Sequence, residues 1–201
     1  MIKKGSRAIY KVFLSSTQCY RPKCESKWTT ELKLKSDFDW KQIHRKYFSI
    51  TKDTRLIWFN FRIIHRTLGT NRYLFLSKIR DNDLCSLCQM ETETILHVFY
   101  FCPNVCPLWN LLENWIFEKS RKRIKFDACT IILGNPREDE IINLIILLVK
   151  RYIFLMKNQN LSFLNVVKYL KAYYELEGKL YKTKNETDVY TRRWLKWKCL
   201  F

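Results

Sequence analysis

The chain is poor in residues that interrupt regular structure. Four glycines and four prolines in 201 residues are too few for the closely spaced turns of an all-β sandwich or barrel, so a mostly α fold is expected. Acidic groups are scarce too, 19 against 37 lysines and arginines, which leaves a formal net charge of +18. No stretch reads as a secretory signal, because "MIKKGSRAIYKVFLSS" has no apolar core followed by a small-residue cleavage site. The longest greasy run, "IINLIILLVKRYIFLM", is interrupted by Lys150-Arg151 and is short for a bilayer. It is expected to be a buried helix, with no membrane partner. Eight cysteines without a signal suit a reducing compartment, cytoplasm or nucleus, where thiols hold metals in preference to forming disulfides.

Hydrophobic residues make up 47% and aromatic residues 15%, which argues for a folded core in one compact domain or two small ones. The positive charge is concentrated at the two ends. Residues 1–50 carry 12 basic and 4 acidic groups and residues 151–201 carry 11 and 4, whereas the middle hundred hold 14 and 11. Such asymmetry points to a polyanionic partner, either nucleic acid or an acidic membrane face.

Periodicity places several helices. "SRAIYKVFL" has helical character, "KWTTEL" starts a new element, and "DFDWKQIHRKYF" spaces Trp40, Ile43 and Tyr47 on one helical face. "TRLIWFNFRIIHRTLG" reads as a helix capped by Thr54, with Leu56, Phe59, Ile63 and Ile64 as apolar positions and Gly69 beyond its end. Thr70 caps a second helix through "NRYLFLSKI", and "RDND" is a polar turn. "PLWNLLENWIFEK" is amphipathic, and "ACTIILG" is a short apolar run closed by Gly134. The acids of "REDE" suit the N-terminus of the apolar helix, and Ser162 caps a last long helix. Trp58, Trp109 and Trp115 are expected in the core, and Cys129 and Cys199 as packing residues.

The chemistry lies in "CSLCQMETETILHVFYFC", spaced Cys85-x2-Cys88-x8-His97-x4-Cys102. Zinc takes four nitrogen or sulfur ligands in a tetrahedron, and a Cys-x2-Cys loop can offer two of them from one tight turn. "ETETILHVFYFCP" supplies the others. Glu91 and Glu93 suit a helix start and Pro103 an end. Residues five apart lie about 140° apart on an ideal α-helix, so Cys102 is expected just past the last turn, where its sulfur can swing back. Cys106 is a spare fourth ligand. Cys19-x4-Cys24 has no partner pair nearby and is a weak second metal candidate. Three thiolates leave a single zinc ion with a net charge near −1, and a full shell has no place for a water nucleophile, so the ion is expected to be structural. A nucleophilic dyad of His44 or His65 with a cysteine has no support in local context.

The tail "YTRRWLKWKCLF" interleaves Arg192, Arg193, Lys196 and Lys198 with Trp194 and Trp197. Cations that track phosphate and rings that stack on bases make this a candidate single-strand contact. A terminal helix docking both tryptophans into the core fits the same pattern equally well.

The segment "RIIHRTLGTNRYLFLSKIRDNDLCSLCQMETETILHVFYFCPNVCPLW" resembles the C-terminal zinc-binding region of non-LTR (LINE-type) retrotransposon reverse transcriptase polyproteins. The helix with His65-Arg66, Thr70-Asn71, the Cys-x2-Cys, "ETILHVFYFCP" and Trp109 stand in that family's order. "SRAIYKVFL", "KWTTEL", "DFDW", "TIILG" and "LLVKRYIFLMK" extend the similarity over nearly the whole chain. The resemblance implies Cys85, Cys88, His97 and Cys102 as ligands of one zinc ion, and His65, Arg66, Lys150 and Arg151 as nucleic-acid backbone contacts. It also implies a domain that holds RNA or single-stranded DNA beside a polymerase. The catalytic parts of such polyproteins have no counterpart here. Asp37/Asp39 and Asp81/Asp83 sit in polar, turn-like surroundings, and no endonuclease constellation of acids and histidine is present.

The expected organisation is a basic lead segment at 1–26, a helical region at 27–80, a zinc knuckle at 81–107, and a helical region with a basic tail at 108–201. The expected function is a non-catalytic, zinc-stabilised nucleic-acid-binding module with no small-molecule substrate. The rivals are a docking module for a separate reverse transcriptase core and an expressed remnant without a task.

Overall fold

In a computed structural model of the chain, the described residues are 22–159 and 161–201, Tyr47 by its backbone alone. Two compact units divide at residues 36 and 37. The segment "SRAIYKVFL" and Cys19 lie outside the described residues. Of the first unit, residues 22–36 are described and carry α1, Lys23–Glu31, in which Cys24 and Trp28 are buried. The segment "KWTTEL" is therefore the second half of a helix, not the start of an element, and the boundary expected at 26–27 falls within α1.

The second unit is built around one helix. After α2 (Trp40–Ile50), α3 (Thr54–Ile64) and α4 (Asn71–Leu76), the chain makes the cysteine knuckle and continues through α5 (Cys106–Ser120) and α6 (Ala128–Leu133). It then enters α7 (Glu140–Leu155), α8 (Phe163–Thr183) and α9 (Thr187–Trp194), and closes with a short 3₁₀ turn at Lys198–Leu200. Helix α7 is apolar on every side, and twelve of its sixteen residues are buried. A helix of that kind has to be surrounded. Helices α2, α3 and α8 and the chain at residues 97–101 pack around it. Among the described residues there is no β-strand, only an isolated Leu84–Thr92 bridge, and no helix is long and apolar enough to cross a membrane.

Capping follows the chain's short polar residues, with one shift of register. The carboxylate of Asp53, not the hydroxyl of Thr54, accepts from the backbone N–H of Arg55 to start α3. Thr70 caps α4 as expected, and Asp39, Asp127 and Asp139 cap α2, α6 and α7. Ser162 stands at the N-cap of α8 but its side chain makes no capping bond. The loop from α6 to α7 is tied down from outside. Lys46 Nζ donates to the carbonyls of Asn135, Pro136 and Glu138 at 3.3, 2.7 and 2.8 Å, so α2 clamps the entry to α7. Burial lowers the Lys46 pKa, while the carboxylates of Glu140, Asp139 and Glu138 oppose that shift.

The C-terminus closes the unit. Trp194 is buried and its Nε1–H donates to Glu177 Oε2 on α8 at 2.6 Å. Phe201 stacks on Tyr174 at 4.8 Å, and Gly178 lets Tyr190 of α9 approach α8 closely. The docking alternative for the tail tryptophans is the one the fold adopts.

Candidate metal centre

The knuckle starts as a minimal antiparallel hairpin. Cys85 N–H donates to the Glu91 carbonyl and Glu93 N–H to the Asp83 carbonyl, both at 2.7 Å. Its tip is the Cys85–Cys88 loop, closed by Gln89 N–H on the Cys85 carbonyl and turned back by Gln89 in the left-handed region at φ 57°. The other arm is helical but not α-helical. Residues His97–Phe101 form a π turn, ended by Cys102 N–H donating to the His97 carbonyl at 2.8 Å. This wider i→i+5 turn brings positions 97 and 102 to one side, which an α-helix cannot do at that spacing. Cys102 itself is extended, just past the last turn.

The four ligand atoms of Cys85, Cys88, His97 and Cys102 all lie within 4.8 Å of one another. Cys85 Sγ and Cys102 Sγ are 3.9 Å apart, and Cys88 Sγ is 3.3 Å from His97 Nε2. A tetrahedral zinc shell requires roughly 3.8 Å between sulfurs and roughly 3.6 Å between sulfur and nitrogen. The donor set and its spacing suit one structural zinc ion. Three of the four side chains are buried and Cys88 is half-buried. The contact with Cys102 Sγ holds the Cys85 thiol down at about 5, helped by the amides of Cys88 and Leu87 and by His97, against burial. The same contact, with burial, pushes the Cys102 thiol up. Two sulfurs this close resist carrying two negative charges, and a divalent cation between them removes the conflict. With four protein ligands the shell has no open position for water.

Two carboxylates that read in the sequence as helix-start residues have other places. Glu91 Oε2 lies 3.0 Å from His97 Nδ1, so it can accept a hydrogen bond from Nδ1–H and favour the tautomer whose Nε2 lone pair faces the sulfurs. Glu93 is wholly buried. It accepts from the backbone N–H groups of Asn71 and Ser86 at 2.9 and 3.0 Å and from Lys157 Nζ at 2.9 Å. One carboxylate thus joins α4, the knuckle and the chain leaving α7. Nothing in local sequence separates Glu93 from Glu91; the distinction depends on Lys157, 64 residues away. Cys106 is exposed at the start of α5 and stays outside the cluster, as do Cys129 and Cys199; Cys199 is exposed and so is not a packing residue.

The candidate nucleic-acid contacts are scattered. Lys150 is a correction: it is 1% exposed on α7, and its Nζ donates to Asn60 Oδ1 and the Ile132 carbonyl at 3.2 and 3.1 Å. Burial lowers its pKa to about 7. A side chain so placed cannot reach a phosphate. Trp194 and Trp197 are buried and present no ring face to a base. Arg193 is turned inward, donating to the Ile50 carbonyl and lying 3.6 Å from Glu177. Arg192, Lys196 and Lys198 are exposed. Arg151 lies over the Phe59 ring at 5.2 Å, and His65 and Arg66 are half-buried at the end of α3. Of the tryptophans expected in the core, Trp109 is buried and bonds the Phe99 carbonyl at 2.7 Å. Trp115 is half-buried, and Trp58 is 62% exposed. The cause is the phase of α3: Leu56, Phe59 and Ile63 take the inner face and turn position 58 outward.

A helical domain clasped by three cysteines and a histidine that converge on one point defines a zinc-binding fold. The particular family follows from comparison with known proteins. The family described as zinc-binding in reverse transcriptase matches residues 6–109, just over half of the chain and the whole of the knuckle, and the chain belongs to it. No curated protein matches the chain.

Proposed function

We propose that this is a non-catalytic, zinc-stabilised module that binds single-stranded nucleic acid, RNA in the first place, beside a reverse transcriptase of the LINE type. Cys85, Cys88, His97 and Cys102 hold the zinc, which fastens the hairpin to the π turn and takes no part in chemistry. The observation that carries the nucleic-acid reading is the charge: 37 basic against 19 acidic groups, with Arg192, Lys196 and Lys198 exposed at the end of the chain. The family description supports the polymerase context, and the LINE-type resemblance of the sequence supports the finer assignment. The second reading, docking onto a polymerase core, draws on apolar side chains exposed around the knuckle, among them Leu76, Ile79, Met90 and Phe101.

A salt titration tests the first reading. If six to eight cations contact a single strand, the logarithm of the binding constant falls with the logarithm of salt at a slope of roughly −4 to −6. A flat response, or no saturable binding of single-stranded RNA at low salt, removes it.

A further inference from the structure

The structure leaves aromatic rings exposed on α3, whereas both tail tryptophans are buried. On α3, Trp58 and Phe61 stand outward, their rings 5.4 Å apart, and Phe61 meets His65 at 4.0 Å. The contacts continue across to α2 through His65–His44 at 5.7 Å and His44–Trp40 at 6.1 Å, and end in Trp40–Phe38 at 5.2 Å. Six rings, from α2, α3 and the residues that flank them, thus form an unbroken ladder, each at least part-exposed. The core does not account for its outer end, because Leu56, Phe59, Ile63 and Ile64 already fill the inner face of α3.

Within the two helices the charge has one sign. Neither α2 nor α3 contains an acidic residue, whereas Lys41, Arg45, Arg55 and Arg62 are exposed on them. The acids that flank these helices in sequence, Asp39 and Asp53, accept from backbone N–H groups as caps, and Asp53 also lies 3.9 Å from Arg55. Exposed rings among cations that outnumber the flanking acids fit a polyanion better than a purely apolar partner. Ring faces set among cations are what successive unpaired bases and their phosphates require.

We propose that the Trp58–Phe61–His65 edge of α3, flanked by Arg55 and Arg62, is a stacking platform for single-stranded RNA. The proposal rests on the nucleic-acid reading above and goes further by moving the contact from the tail to α3. Trp58 and Phe61 take base faces, and Arg55 and Arg62 take the phosphates on either side. The RNA commitment follows from the template of a reverse transcriptase. Stacking is tolerant of sequence, so little base preference is expected.

The test uses the full zinc-loaded chain and a labelled oligouridine, with binding read by fluorescence anisotropy over a range of salt. Trp58→Ala and Phe61→Ala should each weaken binding about five- to hundredfold, with zinc content and thermal midpoint unchanged because both side chains are exposed. Trp58→Phe should recover most of the loss. Arg55→Ala combined with Arg62→Ala should reduce the magnitude of the salt slope by about 1.4. Wild-type binding that both ring variants leave intact overturns the platform and spares the nucleic-acid reading; wild-type chain that does not bind overturns both. Tighter binding of the matching oligodeoxynucleotide overturns the RNA assignment. Should a ring variant lose its fold, photocrosslinking of wild-type chain to thiouridine-substituted RNA decides instead: labelled peptides from residues 54–66 support the platform, and labels confined elsewhere refute it.

Discussion

Glu91 orients the imidazole of His97 from outside the metal cluster. An imidazole must be held in one tautomer and one orientation to offer Nε2 to zinc, and the carboxylate 3.0 Å from Nδ1 does both. Glu91→Gln should therefore lower zinc affinity about 10- to 100-fold while leaving helix content unchanged in saturating zinc. Competition with a chromophoric chelator measures it, and equal affinities would show that the contact is incidental. At Lys150 the logic is reversed. Its ammonium lies in the core with two neutral acceptors and no carboxylate bonded to it, and burial brings its pKa from 10.5 to about 7. The unfolded chain then binds more protons between pH 7 and 10.5, so this residue's destabilising effect is full below pH 7 and fades as pH rises through that window. Lys150→Met should raise stability by about 1 kcal/mol or more near pH 6, with a gain that shrinks toward pH 10. Thermal melts of zinc-loaded protein across that range check it; a gain independent of pH would rule out the buried charge as its cause.

At the scale of elements, the knuckle and the helices are fastened to each other by Glu93. Its oxygens serve α4, the Cys85–Cys88 loop and Lys157 at once. Replacing it by leucine leaves two backbone donors without their acceptor and a largely buried ammonium without its carboxylate, with only a 3.5 Å contact to Asn71 Oδ1 and the Phe154 ring remaining, a loss of about 3 kcal/mol or more. Urea unfolding of Glu93→Leu against wild type measures the loss, and a cost under about 1 kcal/mol would mean that water replaces the carboxylate. The π turn is the second elemental device. The His97-x4-Cys102 spacing was legible as a metal signature, but the turn that makes it workable was not, because a hydrogen-bond register of five leaves no mark on residue types. The inner face of α3 was legible in the same partial way. Leu56, Phe59, Ile63 and Ile64 were read as core, and they are; Trp58 was read with them and is outside.

For the whole molecule, the tail is structural before it is anything else. Trp194, Trp197 and Leu200 are buried, and Trp194 completes a cluster with Tyr174 and Phe201. Trp194→Ala should cost about 3–5 kcal/mol and broaden or abolish cooperative unfolding. A thermal midpoint within a degree or two of wild type would mean that the terminal helix is dispensable. Arg192, Lys196 and Lys198 remain outside the cluster, so the tail can still add charge to a binding surface while its rings stay in the core.

Sequence alone determined the helical class, the four residues that converge on a metal, and the excess of positive charge, because each depends on composition or on spacing within about twenty residues. Tertiary structure alone decided which aromatic rings face water, which lysine is buried, and which of two neighbouring glutamates becomes a buried junction. Those outcomes depend on partners far along the chain. Lys150 is buried against Asn60, ninety residues earlier, and Glu93 is anchored by Lys157. Local periodicity gives a helix its faces, but only the packing of distant elements determines which face is covered.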